Sequence, residues 1–91
     1  MIIGKVLGNV WATKKEPKLE GRKLLVVKTS ASNGNSETIV CVDTIGAGIG
    51  EDVLVTKGSV ARNALGEADS PVDAVIVGII DSLEVDRKLL K

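Results

Sequence analysis

The chain has 91 residues, twelve Lys and Arg against twelve Asp and Glu, and no His. Balanced charge leaves no electrostatic footprint for nucleic acid or for an anionic membrane surface. A single Cys and no His exclude an intrachain disulfide and argue against a metal or other cofactor site.

The length fits one domain, residues 1–91, and a domain this small keeps much of its surface exposed when it folds alone. With disulfides and metals set aside, self-association is the remaining aid to stability. Thirteen Val, eight Ile and nine Leu stand against one Trp and no Phe or Tyr. β-Branched residues favour strands, so a mostly-β core of aliphatic side chains is expected. The first residues form no signal-peptide core and nowhere do 18 apolar residues run together, so a cytoplasmic protein with no membrane partner is expected.

Ile2 to Trp11 reads as a first strand, with Ile2, Gly4, Val6, Gly8 and Val10 on one face. Gly4 and Gly8 mark a bulge or barrel corner. Residues 12 to 22 are polar, with Pro17 and Gly21, and read as a loop. Lys23 to Thr29 is a second strand, apolar on both faces. A turn centred on Asn33-Gly34 joins it in a hairpin to a third strand, Glu37 to Asp43. Cys41, between Val40 and Val42, reads as a buried small hydrophobe.

Three of the ten glycines fall in Gly46-Ala47-Gly48-Ile49-Gly50, between Asp43 and Glu51. A dinucleotide fingerprint requires G-x-G-x-x-G opening a helix. Here the third glycine comes one residue early and the following Val53-Leu54-Val55 is a strand pattern. The stretch reads instead as a tight, packed crossover between strands, where copies of the chain approach closely. Asp52 to Thr56 is a fourth strand. Gly58 to Gly66 reads as a short helix, with Ser59 as N-cap and Gly66 as its terminating residue. Val72 to Ile80 is a fifth strand, and the tail from Asp81 extends it or forms a helical turn with Val85 beside Leu89.

Five short strands with one helix between the fourth and fifth predict an all-β fold, a small OB-like Greek-key barrel. Strands two and five are apolar on both faces, and 91 residues leave little to cover a second face. Exposing Val75, Val77 and Ile79, or their alternates, would create an apolar patch of the kind that marks interfaces. Fully burying each such side chain stabilises by roughly 1.5–3 kcal/mol, which predicts an oligomer. An oligonucleotide-binding module is the alternative that the barrel permits, but such modules use stacking aromatics and a basic groove. An enzyme lacks support: no His is present, Cys41 has no partner, and no carboxylates pair at a convincing spacing.

Several strings resemble one family. They are Gly8-Asn9-Val10-Trp11-Ala12-Thr13-Lys14-Lys15, Leu19-Glu20-Gly21, Gly46-Ala47-Gly48-Ile49-Gly50-Glu51, Gly58-Ser59-Val60-Ala61-Arg62 and Pro71-Val72-Asp73-Ala74. Together they are similar, over nearly the whole chain, to the EutN/CcmL family of bacterial microcompartment vertex proteins. The resemblance implies a homopentamer of OB-like barrels that caps the vertices of a polyhedral shell otherwise tiled by hexameric and trimeric shell proteins. It implies no catalytic site and a place in the cytoplasm within that shell. It puts Asp43 and Gly46 to Glu51 at subunit contacts near the fivefold axis, and Ser59 and Arg62 on an interface helix. Thr13 and Lys14 are expected at the rim toward neighbouring tiles. Arg62 is the candidate for a fixed interfacial ion pair, with Asp43, Glu51 or Asp73 as partner. The Leu24 to Val27 run and the Trp11 string are more similar to catabolic members than to carboxysome members. Asp52 departs from the family, where a Trp often follows the glycine string.

Overall fold

The computed structural model describes residues 1–11, 17–19, 21–30, 34–66, 72–81 and 87–89. Strands β1 (Ile2–Asn9), β2 (Lys23–Ser30), β3 (Ser36–Asp43), β4 (Asp52–Lys57) and β5 (Ala74–Ile79) close into a barrel in the order β1-β2-β3-β5-β4. Helix α1 (Gly58–Leu65) joins β4 to β5. Every pairing is antiparallel except β3 with β5, which run parallel and meet only at Val42↔Val75 and Asp43↔Ile76. This is the expected five-stranded barrel with its helix between the fourth and fifth strands.

Alternation along the strands sets the inside. Val6, Leu25, Val27, Cys41, Val53, Val55, Ala74 and Ile76 point inward and are buried, joined by Ala47 from the loop after β3. None is larger than Leu or Ile, as the narrow bore of a five-stranded barrel requires. β1 follows the predicted faces as far as Val6, then a bulge between Val6 and Gly8 shifts its register against β2. The regular strand ends at Asn9, two residues earlier than expected, although the Val10 N–H still donates to the Leu24 carbonyl at 2.9 Å. β5 begins at Ala74 rather than Val72, because pairing with β4 starts only at Lys57↔Ala74.

Outside the barrel, α1 covers part of the second apolar face. Val42, Ala61, Val72 and Val75 form a separate buried cluster, with Leu19, Leu24 and Leu65 packed against it. Of the two faces of strand five, neither is left wholly bare: Val75 is buried here as Ile76 is in the barrel. The helix lies over Val75, and its thin side, Ala61, allows close approach. Ile79 is half-buried against the barrel core, and Val77 alone of the three is exposed. The helix start is also corrected. Ser59 is an exposed residue in the first turn, and Lys57 holds the cap position without a side-chain hydrogen bond. The backbone supplies the substitute, since the Gly58 N–H donates to the Asp73 carbonyl at 2.8 Å. Gly66, at φ 74°, ends the helix as expected in the left-handed conformation.

Two glycines of β1 differ in kind. A Cβ on Gly4 would overlap the Val27 side chain and crowd the Lys28 carbonyl at 3.1 Å, whereas a Cβ on Gly8 meets nothing within 4 Å. Gly4→Ala is therefore expected to cost about 1–3 kcal/mol in urea unfolding. Gly8→Ala is expected to stay within about 1 kcal/mol of the parent.

Cys41 is fully buried, as read from its neighbours. Burial, reinforced by the negative charge of Asp73 and opposed by Lys57, pushes its thiol up from 9.0 to about 11. The fold thus favours the protonated thiol. That preference is fully present below the unfolded value and is lost as pH rises from about 9 through 11. Between pH 8.5 and 11 the parent is expected to lose on the order of 2 kcal/mol more stability than Cys41→Ala, measured by urea titration at each pH. The folded thiol at pH 8 is expected to resist alkylation that goes to completion in denaturant.

Candidate functional site: the glycine loop and its anchor

The loop of residues 44–51 is built on Asp43, the last residue of β3. Its carboxylate side chain has no exposed area. Oδ1 accepts hydrogen bonds from the backbone N–H groups of Ile45 (3.0 Å) and Gly46 (3.2 Å), and Oδ2 accepts one from Ala47 (2.9 Å). Lys23, directly opposite Asp43 in the β2–β3 register, places its ammonium 3.5 Å from Oδ2 and donates to the Ala47 carbonyl at 3.1 Å. One carboxylate and one ammonium thus fix both ends of the first half of the loop. Three N–H donors on a buried carboxylate satisfy backbone groups that would otherwise have no partner in a turn this tight.

The second half is fixed by Glu51 and β1. Glu51 Oε1 accepts from the Gly48 N–H at 2.6 Å, and the Glu51 N–H donates to the Gly48 carbonyl at 3.1 Å. The Gly50 N–H donates to the Val6 carbonyl at 2.8 Å, and the Val6 N–H to the Glu51 carbonyl at 3.0 Å. These bonds extend the β1–β4 ladder into the loop. Gly46 (φ 86°) and Gly50 (φ 90°) take the left-handed conformation that side chains disfavour. Gly48 does not. A Cβ there would meet only the Glu51 carboxylate, at 3.2 Å.

The expected packing of the loop is met only in part. Ala47 is buried in the barrel, whereas Ile45 and Ile49 are 44% and 64% exposed. Ile3 and Leu7, on the outer side of β1, are exposed too. The hydrogen bonds of Gly50 and Glu51 to Val6 bring the Ile49 end of the loop beside β1, next in sequence to Leu7. A well-anchored loop therefore presents two isoleucines outward, its far end beside an outer face of β1 on which Ile3 and Leu7 flank Lys5, whose ammonium donates to the Gly50 carbonyl at 3.4 Å.

The remaining expected residues lie elsewhere. Arg62, half-buried on α1, donates from Nη1 to the Val72 carbonyl at 3.4 Å. Among the described residues none of Asp43, Glu51 and Asp73 is its ion-pair partner within the chain. Asp43 is taken by Lys23 and the loop backbone, and Glu51 by Gly48. Thr13 and Lys14 lie outside the described residues. Asp52, the departure from the family pattern, forms an exposed ion pair with Lys5 at 3.2 Å. Sequence reading missed Lys23. Its signal was its position at the start of β2, which hairpin pairing sets opposite Asp43. Among the described residues no group of His, Cys, Asp and Glu could hold a metal, and no helix is long and apolar enough to cross a membrane.

Residues 1–81 match the family described as "Ethanolamine utilisation protein EutN/carboxysome". The chain belongs to the EutN/CcmL family. It is 48% identical over 86 residues to the bacterial microcompartment shell vertex protein GrpN of Rhodospirillum rubrum, covering 92% of this chain and 97% of that one. It is 46% identical over 87 residues to the carboxysome shell vertex protein CcmL of Synechocystis, covering 93% and 87%. The solved structure of GrpN, described as a pentameric microcompartment shell protein, superposes with a TM-score of 0.80 at 45% identity, covering 93% and 100%.

The anchor is open to test. Asp43→Ala is expected to lower stability by about 2–4 kcal/mol, because it strands loop N–H groups, that of buried Ala47 among them. Lys23→Met, with its ammonium half-exposed, is expected to cost no more than about 1 kcal/mol. Urea unfolding of both variants at pH 7 reads the difference, and equal costs would deny Asp43 its special place.

Proposed function

We propose that this chain is a structural shell protein. In this reading five copies form a ring that caps the vertices of a polyhedral bacterial microcompartment in the cytoplasm, against hexameric and trimeric shell tiles. The observation that carries it is the rigid glycine loop presenting Ile45 and Ile49 beside exposed Ile3 and Leu7. Four aliphatic side chains stand exposed on ordered backbone around Lys5, and exposed apolar groups rimmed by polar ones mark interfaces. The family supports the same reading, since its relatives are named as shell vertex proteins and the GrpN structure as pentameric.

In this reading Asp43 and Gly46 to Glu51 stand at or next to the subunit contacts near the fivefold axis. Gly48 is where the neighbouring backbone comes closest. Ser59 and Arg62 belong to the helix side of the interface, with the carboxylate partner of Arg62 supplied by the adjacent copy. Thr13 and Lys14 face the tiles. A vertex subunit needs shape, self-association and a compatible edge, and no catalysis. The Trp11 string favours a catabolic compartment, although the GrpN and CcmL relatives stand at nearly equal identity.

Native mass spectrometry at micromolar concentration is expected to show five times the 9.5 kDa chain mass. A Cβ at Gly48 meets only the Glu51 carboxylate, at 3.2 Å, and that side chain must shift slightly to admit Gly48→Val. It is expected to retain the strand signal in circular dichroism and to lose the ring. A stable monomer for the parent overturns the reading, and an unchanged ring for Gly48→Val removes the close approach at that residue.

A further inference from the structure

Two charged side chains are held in place by the backbone and lack an ionic partner. Arg62, half-buried on α1, donates from Nη1 to the Val72 carbonyl at 3.4 Å and meets no carboxylate among the described residues. A guanidinium is a fork of several N–H donors, so most of it is left over. Glu51 is exposed, its Oε1 accepts from the Gly48 N–H at 2.6 Å, and it meets no cation among the described residues. A carboxylate accepts at both oxygens, so Oε2 is left over. Each head group is thus oriented before any partner arrives, and their chemistries match.

The two cannot meet within one chain. Glu51 precedes β4, and α1 follows it. The six residues of β4 span about 20 Å. The Ile80 N–H meets the Asp52 carbonyl at the Glu51 end of the strand, whereas the Gly58 N–H meets the Asp73 carbonyl at the other, where Arg62 is tied to Val72. A ring contact is head-to-tail and joins two different surfaces of one subunit. Groups at opposite ends of a strand satisfy that condition.

Other described carboxylates fit less well. Asp43 is buried under loop N–H groups and Lys23. Glu37 is paired with Lys57 at 3.7 Å and Asp52 with Lys5 at 3.2 Å. Asp73 follows Val72 and so belongs to the surface of Arg62 itself. Asp81, exposed next to Ile80, stands at the Glu51 end, but no described bond orients it.

We propose that Glu51 of one copy binds Arg62 of the adjacent copy, the fork meeting the carboxylate oxygen that Gly48 leaves free. This pairing rests on the self-association of the vertex reading but not on the number of copies. It also gives the loop a second use, because the bond that closes its turn at Gly48 is the bond that aims the carboxylate at the neighbour.

A double-mutant cycle on the full chain tests it. Glu51→Gln keeps an acceptor for Gly48 and removes the charge, and Arg62→Gln removes the fork. Each is expected to raise the chain concentration for half-assembly, read by native mass spectrometry and sedimentation, by about tenfold or more. The double variant is expected to need no more than either single variant, because the second change finds the bond already gone. The strand signal in circular dichroism is expected to persist; if Arg62→Gln loses it, Arg62→Lys, which keeps the charge without the fork, takes its place in the cycle. Asp81→Asn is expected to change nothing. Costs that multiply in the double variant, or a single variant that assembles like the parent, overturn the pairing. Coupling of Arg62 to Asp81 in place of Glu51 overturns it as well. In those cases an intact parent ring leaves the vertex reading standing. A parent dimer with the same coupling keeps the pairing and overturns the ring, and a monomeric parent overturns both.

Discussion

A barrel of five short strands has room inside for a single layer of aliphatic side chains, and this limit governs the rest of the structure. Leu25, Ile76 and the valines fill it, and Gly4 lets β1 lie directly against β2. Nothing larger fits, which accounts for a chain rich in Val and Ile and nearly free of aromatics. The outward apolar side chains then have to be covered by something other than the barrel. Helix α1 covers Val42, Val72 and Val75. It is only eight residues long, and it does not reach Ile3, Leu7, Ile45 or Ile49.

Most of the frame was legible in the sequence because alternation and turn chemistry are local signals. The inward residues of β1 up to Val6, the glycine that ends α1 and the buried thiol all follow from neighbouring residues. The errors are tertiary in origin. Strand five alone reads as apolar on both faces with nothing to cover the second, and Val75 is buried because α1 folds back across it. Ser59 has the right chemistry for a cap, but a backbone carbonyl from residue 73 already serves the first N–H of the helix. Lys23 reads as a strand-end lysine until the hairpin register places it opposite Asp43.

The glycine loop shows the difference between residue type and role. Three glycines in five residues suggest a common need, yet only Gly46 and Gly50 take positive φ. Gly48 has an ordinary φ, and within its own chain a side chain there would meet only Glu51. Positive φ is therefore not what glycine at position 48 supplies within the single chain. Asp43 has a use within the chain that the sequence did not show: it is the post to which the loop backbone is tied.

In the proposed ring that post matters for association as much as for folding. A loop that becomes ordered only on binding subtracts its lost conformational freedom from the affinity, whereas a loop already fixed does not. Here the backbone on either side of Ile45 and Ile49 is held by Asp43, Lys23, Glu51 and Val6 before any neighbour arrives. The two isoleucines are then displayed at a constant angle to the barrel. A ring closes only if every contact repeats the same rotation, and a floppy loop would allow a spread of angles and open chains. In the ring proposed above, rigid display of these side chains is the property that favours closure over irregular aggregation.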